Sequence, residues 1–264
     1  MKPELITSLQ NKRIKNFLKL QKVSERRKQQ LFIIEGKREF RLAREAGYQF
    51  EQIYYCPDFH SVPTDTADAK LFEISKSIYA KVAYRDSTEG IIALAKPMEQ
   101  KLSDLNLSAN PVIIVLEGVE KPGNLGAVLR TADAAGVDAV VVCDERTDLY
   151  NPNTVRSSIG CLFTVQTAVC TNYEALEFFS SQKIQSFAAE LEASEFYHKT
   201  DLSGPLAIVM GTESTGLSDF WIKNSGRRIK IPMQGAIDSL NVSNATAVLV
   251  YEAMRQRNFS RLPK

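Results

Sequence analysis

The second half of the chain alternates short apolar runs with amphipathic stretches. Runs rich in valine and isoleucine at 112–117 and 138–143 predict two buried strands, and the segment between them has the apolar spacing of a helix. Further predicted elements are strands at 162–167, 185–189, 205–211 and 227–233, a helix from about Asn172 and a closing helix over 240–257. Buried strands joined by helices are typical of parallel sheets, so the pattern predicts an α/β domain.

The first part of the chain predicts a smaller α/β domain. Ile14, Phe17 and Leu18 have the spacing of one helix face. Further predicted elements are strands at 31–36, 52–55 and 90–95 and helices at 37–46 and 77–84. A polar segment at 96–111 lacks an apolar period and contains prolines at both ends. We therefore predict a small domain over 1–97, a linker over 98–110 and a larger domain over 111–264.

The composition is that of an ordinary folded protein. Hydrophobic residues make up 44% and charged residues 24% of the 264 residues, which excludes a disordered or collagen-like chain. No apolar run approaches the roughly 18 residues of a membrane helix, and the first residues lack an apolar signal core. The four cysteines form no CxxC pair and there are two histidines, so we expect no metal site. These features predict a soluble, cytoplasmic protein with reduced thiols.

The positive charge is concentrated near the start of the chain. Residues 1–44 contain 13 Lys or Arg against 4 Asp or Glu, whereas the remainder contains 20 against 27. Such asymmetry is typical of a segment that binds a polyanion, most often nucleic acid. A solvated helix face would give the same pattern. Charge alone leaves both interpretations open.

Three segments rich in Gly, Ser and Asn, at 117–130, 211–217 and 232–244, each follow a predicted strand. Ligands bind beyond the carboxyl ends of the strands in open parallel sheets. The first segment places Arg130 on the first or second turn of a predicted helix, where it could hold an anion near the helix N-terminus. A strand-to-helix turn with a surface arginine is the alternative. The segment is neither a GxGxxG fingerprint nor a P-loop.

The other two segments carry small polar groups. Glu213 lies between two glycines, which suits either a plain turn or a close approach of the backbone to a ligand. Ser239, Asn241, Ser243 and Asn244 lie around the start of the closing helix. Capping by Ser239 or Asn241 explains one of these four residues, whereas a ligand-binding cluster of donors and acceptors explains all four.

Taken in order, NLGAVLR at 124–130, GTESTGLS at 211–218 and IPMQGAIDSLNVSNA at 231–245 resemble the three motifs of the SpoU family of SPOUT-class RNA methyltransferases. RSSIG at 156–160 is similar to the family's short Arg-x-Ser-x-Gly segment. The run from NKRIK through FIIEGKR to GIIALA is similar to the ribosomal-protein-like substrate-binding domain of many members. The resemblance therefore covers nearly the whole chain.

The resemblance implies a parallel-sheet SPOUT domain with a C-terminal trefoil knot, preceded by a small α/β RNA-binding domain. It implies that S-adenosylmethionine binds in the knotted region. The implied cofactor residues are Met210, Gly211, Ile231, Met233, Leu240, Asn241 and Ser243. Members of the family work as homodimers in which each active site is completed across the interface.

The implied reaction is methyl transfer to a ribose 2′-hydroxyl of RNA, with ribosomal RNA as the main expectation. Transfer RNA, a role in antibiotic resistance and a non-catalytic ribosome-assembly factor are the alternatives. The implied catalytic residues are Arg130, Asn124, Glu213, Ser239 and Asn241. Since arginine is hard to deprotonate, we expect Arg130 to clamp a phosphate and stabilise the forming alkoxide. The residues expected to contact RNA are Lys12, Arg13, Lys15, Arg26, Arg27, Lys37, Arg38, Arg156 and Ser158.

Overall fold

The computed structural model describes residues 3–63, 66, 68–83 and 89–259. The described residues form two compact units, one from Met1–Glu99 with Asp148–Thr164 and one from Gln100–Thr147 with Val165–Lys264. The predicted domains are 1–97 and 111–264, joined by a linker over 98–110. This division assigns 148–164 to the larger domain, whereas in the structure the segment belongs to the first unit.

The helices and strands account for most of the described chain. Up to residue 95 they are β1 (Glu4–Ile6), α1 (Lys12–Lys19), α2 (Val23–Gln29), β2 (Phe32–Glu35), α3 (Lys37–Glu45), β3 (Phe50–Tyr55), β4 (Lys70–Ile74), α4 (Lys76–Val82) and β5 (Ile91–Ala95). From residue 112 they are β6 (Val112–Glu117), α5 (Pro122–Ala135), β7 (Ala139–Cys143), α6 (Pro152–Ser157), β8 (Thr167–Cys170), α7 (Asn172–Ser181), β9 (Gln185–Ala189), β10 (Glu195–Phe196), β11 (Leu206–Met210), α8 (Asp219–Asn224), β12 (Arg227–Lys230) and α9 (Val242–Gln256).

The first unit contains a mixed five-stranded sheet in the order β1-β4-β3-β5-β2. Strands β1, β4 and β3 are parallel, and β5 is antiparallel to both β3 and β2. On α1 the predicted face is only partly right, because Ile14 and Phe17 are buried whereas Leu18 is exposed and Leu20 is buried in its place. The predicted end of the fourth helix, Tyr84, lies outside the described residues.

The segment 148–164 packs into the first unit through aromatic side chains. The ring of Tyr150 lies 4.4 Å from that of Phe32, and its hydroxyl is 3.2 Å from the hydroxyl of Tyr48. The ring of Phe163 packs edge-on against Tyr48 at 5.0 Å. This packing explains why the predicted strand at 162–167 is wrong: Cys161–Phe163 forms a 3-10 turn whose apolar residues fill the first unit, and β8 begins only at its last position.

The second unit contains a seven-stranded sheet in the order β10-β12-β9-β11-β6-β7-β8, in which every pair is parallel. The predicted α/β class with a parallel sheet is therefore confirmed. Helices α5 and α9 pack against each other, and α9 also packs on β6 and β11. All residues of β6 and β11 are buried, as expected for central strands covered on both faces. Threading of the chain as a knot stays a prediction.

Each described helix is either too short or too polar to cross a membrane.

Candidate active site

The parallel strands bring three distant segments to one edge of the sheet. Asn124 lies in the first turn of α5, beyond the end of β6. Glu213 lies in the loop that follows β11, and Asn241 is the N-cap residue of α9. Because parallel strands all end at the same edge, residues far apart in sequence can meet there.

The side chains of these three residues form one hydrogen-bonded network. The Nδ2 group of Asn124 donates to Oε1 of Glu213, and Nδ2 of Asn241 donates to Oδ1 of Asn124 at 3.2 Å. The second carboxylate oxygen of Glu213 is buried and has no hydrogen-bond partner among the described residues. Since buried acceptors are nearly always satisfied, this oxygen is available to a donor on a bound ligand.

Asn241 serves both as a helix cap and as part of the cluster. Its Oδ1 accepts hydrogen bonds from the backbone N–H of Ser243 at 2.9 Å and from the Ser243 hydroxyl at 2.6 Å. The predicted capping by Asn241 is therefore confirmed, whereas ligand binding by this segment stays a prediction. Ser239 is exposed and its hydroxyl donates to Asp238 at 3.0 Å, so it stands outside the network, and Asn244 is exposed.

The loop after β11 folds tightly on itself. The backbone groups of Thr212 and Gly216 exchange two hydrogen bonds of 3.0 and 3.2 Å, and Gly216 has a φ of +69° that favours glycine. A methyl group on Gly211 would lie closer than 3.0 Å to backbone atoms of Gly216 and Leu217. Only glycine at 211 therefore permits this close approach of the two ends of the loop.

A cavity of about 540 Å³ lies beside this loop. Of the predicted cofactor residues it is lined by Met210, Gly211, Ile231, Met233 and Leu240. Asn241 and Ser243 do not line it, whereas Glu213 and Ser239 do. The volume is within the range of about 300–1,000 Å³ that small-molecule sites occupy. Sequence reasoning missed 189–192, which also line the cavity and lie at and just beyond the end of β9 at the same edge.

Arg130 is not part of the network in its own chain. Helix α5 begins at Pro122, so Arg130 is its ninth residue and lies in the third turn, about 12 Å along the axis from the first residue. The predicted position on the first or second turn is therefore wrong. The side chain of Arg130 is exposed and, within the described part of the chain, makes no hydrogen bond or ion pair.

Two of the residues predicted to contact RNA are buried. Arg26 is 5% exposed, donates to the carbonyls of Leu20 and Gln21 at 2.9 Å each, and forms an ion pair with Asp148. The hydroxyl of Ser158 is enclosed and donates to the carbonyl of Val155 at 2.8 Å. Both predictions are wrong, because these polar groups stabilise the first unit from inside.

The remaining basic residues leave more of their side chains at the surface. The exposed ones are Lys12, Lys15, Arg27, Lys37 and Arg38. Arg13 is half-buried, lies 4.3 Å above the ring of Phe72 and pairs with Glu4 at 3.6 Å. Arg156 is half-buried and donates to Oδ1 of Asn153 at 3.2 Å.

No group of three or more His, Cys, Asp or Glu side chains within the described ranges is placed to hold a metal ion.

The fold and site define an α/β protein with a cofactor-sized cavity at the carboxyl edge of a parallel sheet. Residues 111–251 match the model of the SpoU rRNA Methylase family, and residues 11–93 match the MRM3-like substrate binding domain. The chain therefore belongs to the SpoU rRNA methylase family. The resemblance of its three motifs to that family is confirmed.

Relatives of known activity support the same assignment. The chain is 37% identical over 176 residues to 23S rRNA (guanosine-2′-O-)-methyltransferase RlmB of Escherichia coli K12, which covers 64% of this chain and 72% of RlmB. It is 28% identical over 247 residues to 23S rRNA (guanosine(2553)-2′-O)-methyltransferase RlmP of Bacillus subtilis, which covers 93% of this chain and 97% of RlmP.

Solved structures agree over nearly the full length. A crystal structure of an RNA 2′-O ribose methyltransferase superposes with a TM-score of 0.83 at 39% identity, covering 96% of this chain and 99% of that one. An AdoMet-bound rRNA methyltransferase from Sinorhizobium meliloti superposes with a TM-score of 0.89 at 27% identity, covering 99% of both chains. The predicted enzyme class, an RNA methyltransferase that uses S-adenosylmethionine, is confirmed.

Proposed function

We propose that this protein is a cytoplasmic homodimer that methylates a ribose 2′-hydroxyl of ribosomal RNA. The observation that carries the proposal is the Asn124–Glu213–Asn241 network, which joins all three motif segments at the rim of the cavity. The names of RlmB and RlmP, which share this chain's family, specify 2′-O methylation of guanosine in 23S rRNA.

The cavity suits S-adenosylmethionine, which supplies a methyl group on a positively charged sulfonium. Met210, Ile231 and Leu240 give it an apolar wall against which an adenosine can be buried. Glu190 pairs with Arg228, which leaves the carboxylates of Glu192, Glu213 and Asp238 against the ammonium of Lys230 in the lining. This negative balance favours a cationic ligand. The free oxygen of Glu213 is a suitable acceptor for a hydroxyl or ammonium donor of that ligand.

In the proposed reaction, the 2′-hydroxyl oxygen forms a bond to the methyl carbon while the carbon–sulfur bond breaks and its electron pair stays on sulfur. The hydroxyl proton passes to water. The protein must hold the oxygen in line with the methyl group, and Asn124 is the network residue proposed to face the ribose. None of the described residues that line the cavity is a histidine, so stabilisation of negative charge on the oxygen replaces imidazole base catalysis.

Arg130 is the residue proposed to supply that stabilisation, and we place it in the partner's active site. It is exposed on the third turn of α5, and no side chain of its own described chain engages it. A guanidinium can clamp a phosphate of the target nucleotide with two parallel hydrogen bonds. Pairing of two copies would complete each cavity with the arginine of the other copy.

The first unit is proposed to hold the RNA. Its match to a substrate-binding domain and its exposed basic side chains support this role. Folded RNA is recognised mainly by shape, by loops and by phosphate contacts. Lys12, Lys15, Arg27, Lys37 and Arg38 are the side chains proposed to contact the phosphates.

The test is transfer of radiolabelled methyl from S-adenosylmethionine to total RNA from a strain that lacks this protein, followed by mapping of the modified nucleotide. We expect label on one rRNA ribose, loss of label with Arg130→Ala, and little rescue by Arg130→Lys because lysine lacks the planar fork. Label confined to tRNA would show that the substrate is tRNA and not rRNA. Absence of both label and S-adenosylmethionine binding would leave the ribosome-assembly alternative, and normal turnover of Arg130→Lys would refute the bidentate clamp.

A further inference from the structure

A buried carboxylate contacts the segment that forms one wall of the cofactor cavity. Glu117 is the last residue of β6 and is 5% exposed. Its Oε2 accepts the backbone N–H of Ser218 at 2.8 Å, and its Oε1 accepts the Ser218 hydroxyl at 2.5 Å and Nδ2 of Asn172 at 2.6 Å. A buried carboxylate needs several donors to replace water, and here three donors converge on it.

These contacts attach Glu117 to the segment that forms one wall of the cavity. Ser218 is the N-cap residue of α8, and it follows Leu217 directly. Leu217 and Ile222, the residues on either side of the start of α8, both line the cavity. The position of Ser218 therefore determines where this wall lies.

The contact with Asn172 extends the attachment to the core. Oδ1 of Asn172 accepts the indole N–H of Trp221 at 2.6 Å, and its Nδ2 also donates to Asp144 at 2.6 Å. Because an indole nitrogen only donates, the amide of Asn172 has one permitted orientation, with Nδ2 towards Glu117. Trp221 is fully buried and Glu117 is nearly so, and the two residues at the ends of this series of hydrogen bonds are therefore held in place.

We propose that Glu117 is a positioning residue for S-adenosylmethionine: its carboxylate joins the end of β6 to the start of α8 and so holds the wall formed by Leu217 and Ile222. An amide cannot replace it. In one orientation the NH₂ group of a glutamine would face the Ser218 N–H, and in the other it would face the Asn172 NH₂. Either way, two hydrogen-bond donors would face each other in the protein interior without an acceptor.

The proposal rests on the proposed function, since the cavity must take S-adenosylmethionine. The test compares the wild type, Glu117→Gln and a matched control, Asp219→Asn, which changes an exposed carboxylate next to Ser218 that pairs with Lys223. We expect Glu117→Gln to raise the Kd for S-adenosylmethionine about tenfold or more, as expected for loss of a charge-assisted hydrogen bond. The KM for S-adenosylmethionine should rise by the same factor, with the KM for RNA unchanged and the control like the wild type.

The single tryptophan of the chain supplies an independent readout. Excited where tyrosine does not absorb, Trp221 reports its own surroundings, and Glu117→Gln should shift its emission to longer wavelength while Asp219→Asn leaves it unchanged. If Glu117→Gln does not fold, Ser218→Ala tests the proposal instead, because it removes the hydroxyl donor to Glu117 and keeps the backbone N–H. A Kd for S-adenosylmethionine raised at least threefold supports the proposal, and an unchanged Kd refutes it.

An unchanged Kd and unchanged emission in folded Glu117→Gln would overturn the inference. A wild type that does not bind S-adenosylmethionine would instead overturn the proposed function, and the emission of Trp221 would still show whether Glu117 holds this region.

Discussion

Replacement of Gly211 by alanine tests whether the cofactor cavity depends on the close approach of two loop ends. The added methyl group would lie closer than 3.0 Å to three backbone atoms of Gly216 and Leu217. Backbone cannot rotate away as a flexible side chain can, so the loop must retreat by about 1 Å before the contact becomes an ordinary one. Gly211 has no positive φ, and the cost is therefore steric alone.

The expected cost follows from overpacking. Forcing an extra carbon into a filled site costs about 1–3 kcal/mol, and we expect the free energy of unfolding to fall by this amount. The same displacement moves Leu217, which lines the cavity, so the Kd for S-adenosylmethionine should rise at least about tenfold. Urea denaturation followed by circular dichroism measures the first quantity, and isothermal titration calorimetry measures the second.

Gly204→Ala is the matched control. A methyl group on Gly204 has nothing within 4 Å, and Gly204 also lacks a positive φ. Both substitutions restrict the unfolded chain, and Gly204 differs in preceding Pro205, so a difference in stability larger than the few tenths of a kcal/mol of such backbone effects reports the steric effect. If Gly211→Ala were as stable as Gly204→Ala and bound S-adenosylmethionine like the wild type, the reasoning about this loop would be refuted.

Three further predictions concern the interior of the first unit and the sharing of active sites. Arg26→Met should lower the free energy of unfolding by about 3 kcal/mol because it leaves Asp148 without its buried partner; urea denaturation should show partial recovery on adding Asp148→Leu, and no recovery would contradict the explanation. Burial raises the pKa of Tyr54 from its ordinary value of 10.0 to about 12, so the unfolded chain loses this proton first and stability should fall between pH 10 and pH 12; urea denaturation across that range should show a smaller loss in Tyr54→Phe than in the wild type, because burial also raises the pKa of Tyr55 and Tyr150, and an equal loss in the two proteins would contradict the assignment to Tyr54. Mixing Arg130→Ala with Gly211→Val subunits should restore about one quarter of wild-type methyl transfer, because half of the dimers are mixed and each has one complete site; no restoration would place Arg130 in its own chain's site.

The centre of the second unit's sheet was predictable because β6, β7 and β11 are buried at every position and so appear as continuous apolar runs. β6 has the bounds predicted for it, 112–117, and so does β9, 185–189, whose first residue is exposed. Strands β1 and β10 contain three and two residues and lie at sheet edges, which is too short to give a pattern.

Contacts between distant segments decide two further features that the sequence does not reveal, a buried charge and an apolar turn. Arg26 lies in a basic stretch, and its partner Asp148 is 122 residues further along the chain. Leu162 and Phe163 have the composition of a strand, yet they are buried as a turn in the first unit. In each case a tertiary contact decides what local composition leaves open.

The candidate site was predictable as a set of segments but not as a set of contacts. The resemblance of the three motifs points to Asn124, Glu213 and Asn241, whereas their hydrogen bonds span 89 and 117 residues. Glu117 carries a visible feature, a carboxylate at the end of an otherwise apolar strand, but its partners Ser218 and Asn172 come from distant segments.

Asn241 offers a way to separate helix capping from assembly of the site. Its Oδ1 caps α9 while its Nδ2 holds Asn124, so Asn241→Asp keeps a good capping acceptor and removes the donor. Asn124 cannot turn to compensate, because its own Nδ2 is engaged by Glu213. We therefore expect a melting temperature close to that of the wild type, since capping is retained, together with a drop in methyl transfer of tenfold or more, about 1.4 kcal/mol in the barrier. Wild-type transfer by a stable Asn241→Asp protein would show that the network does not position Asn124 for the reaction, and a lowered melting temperature would show that the amide stabilises the fold beyond its role as a cap.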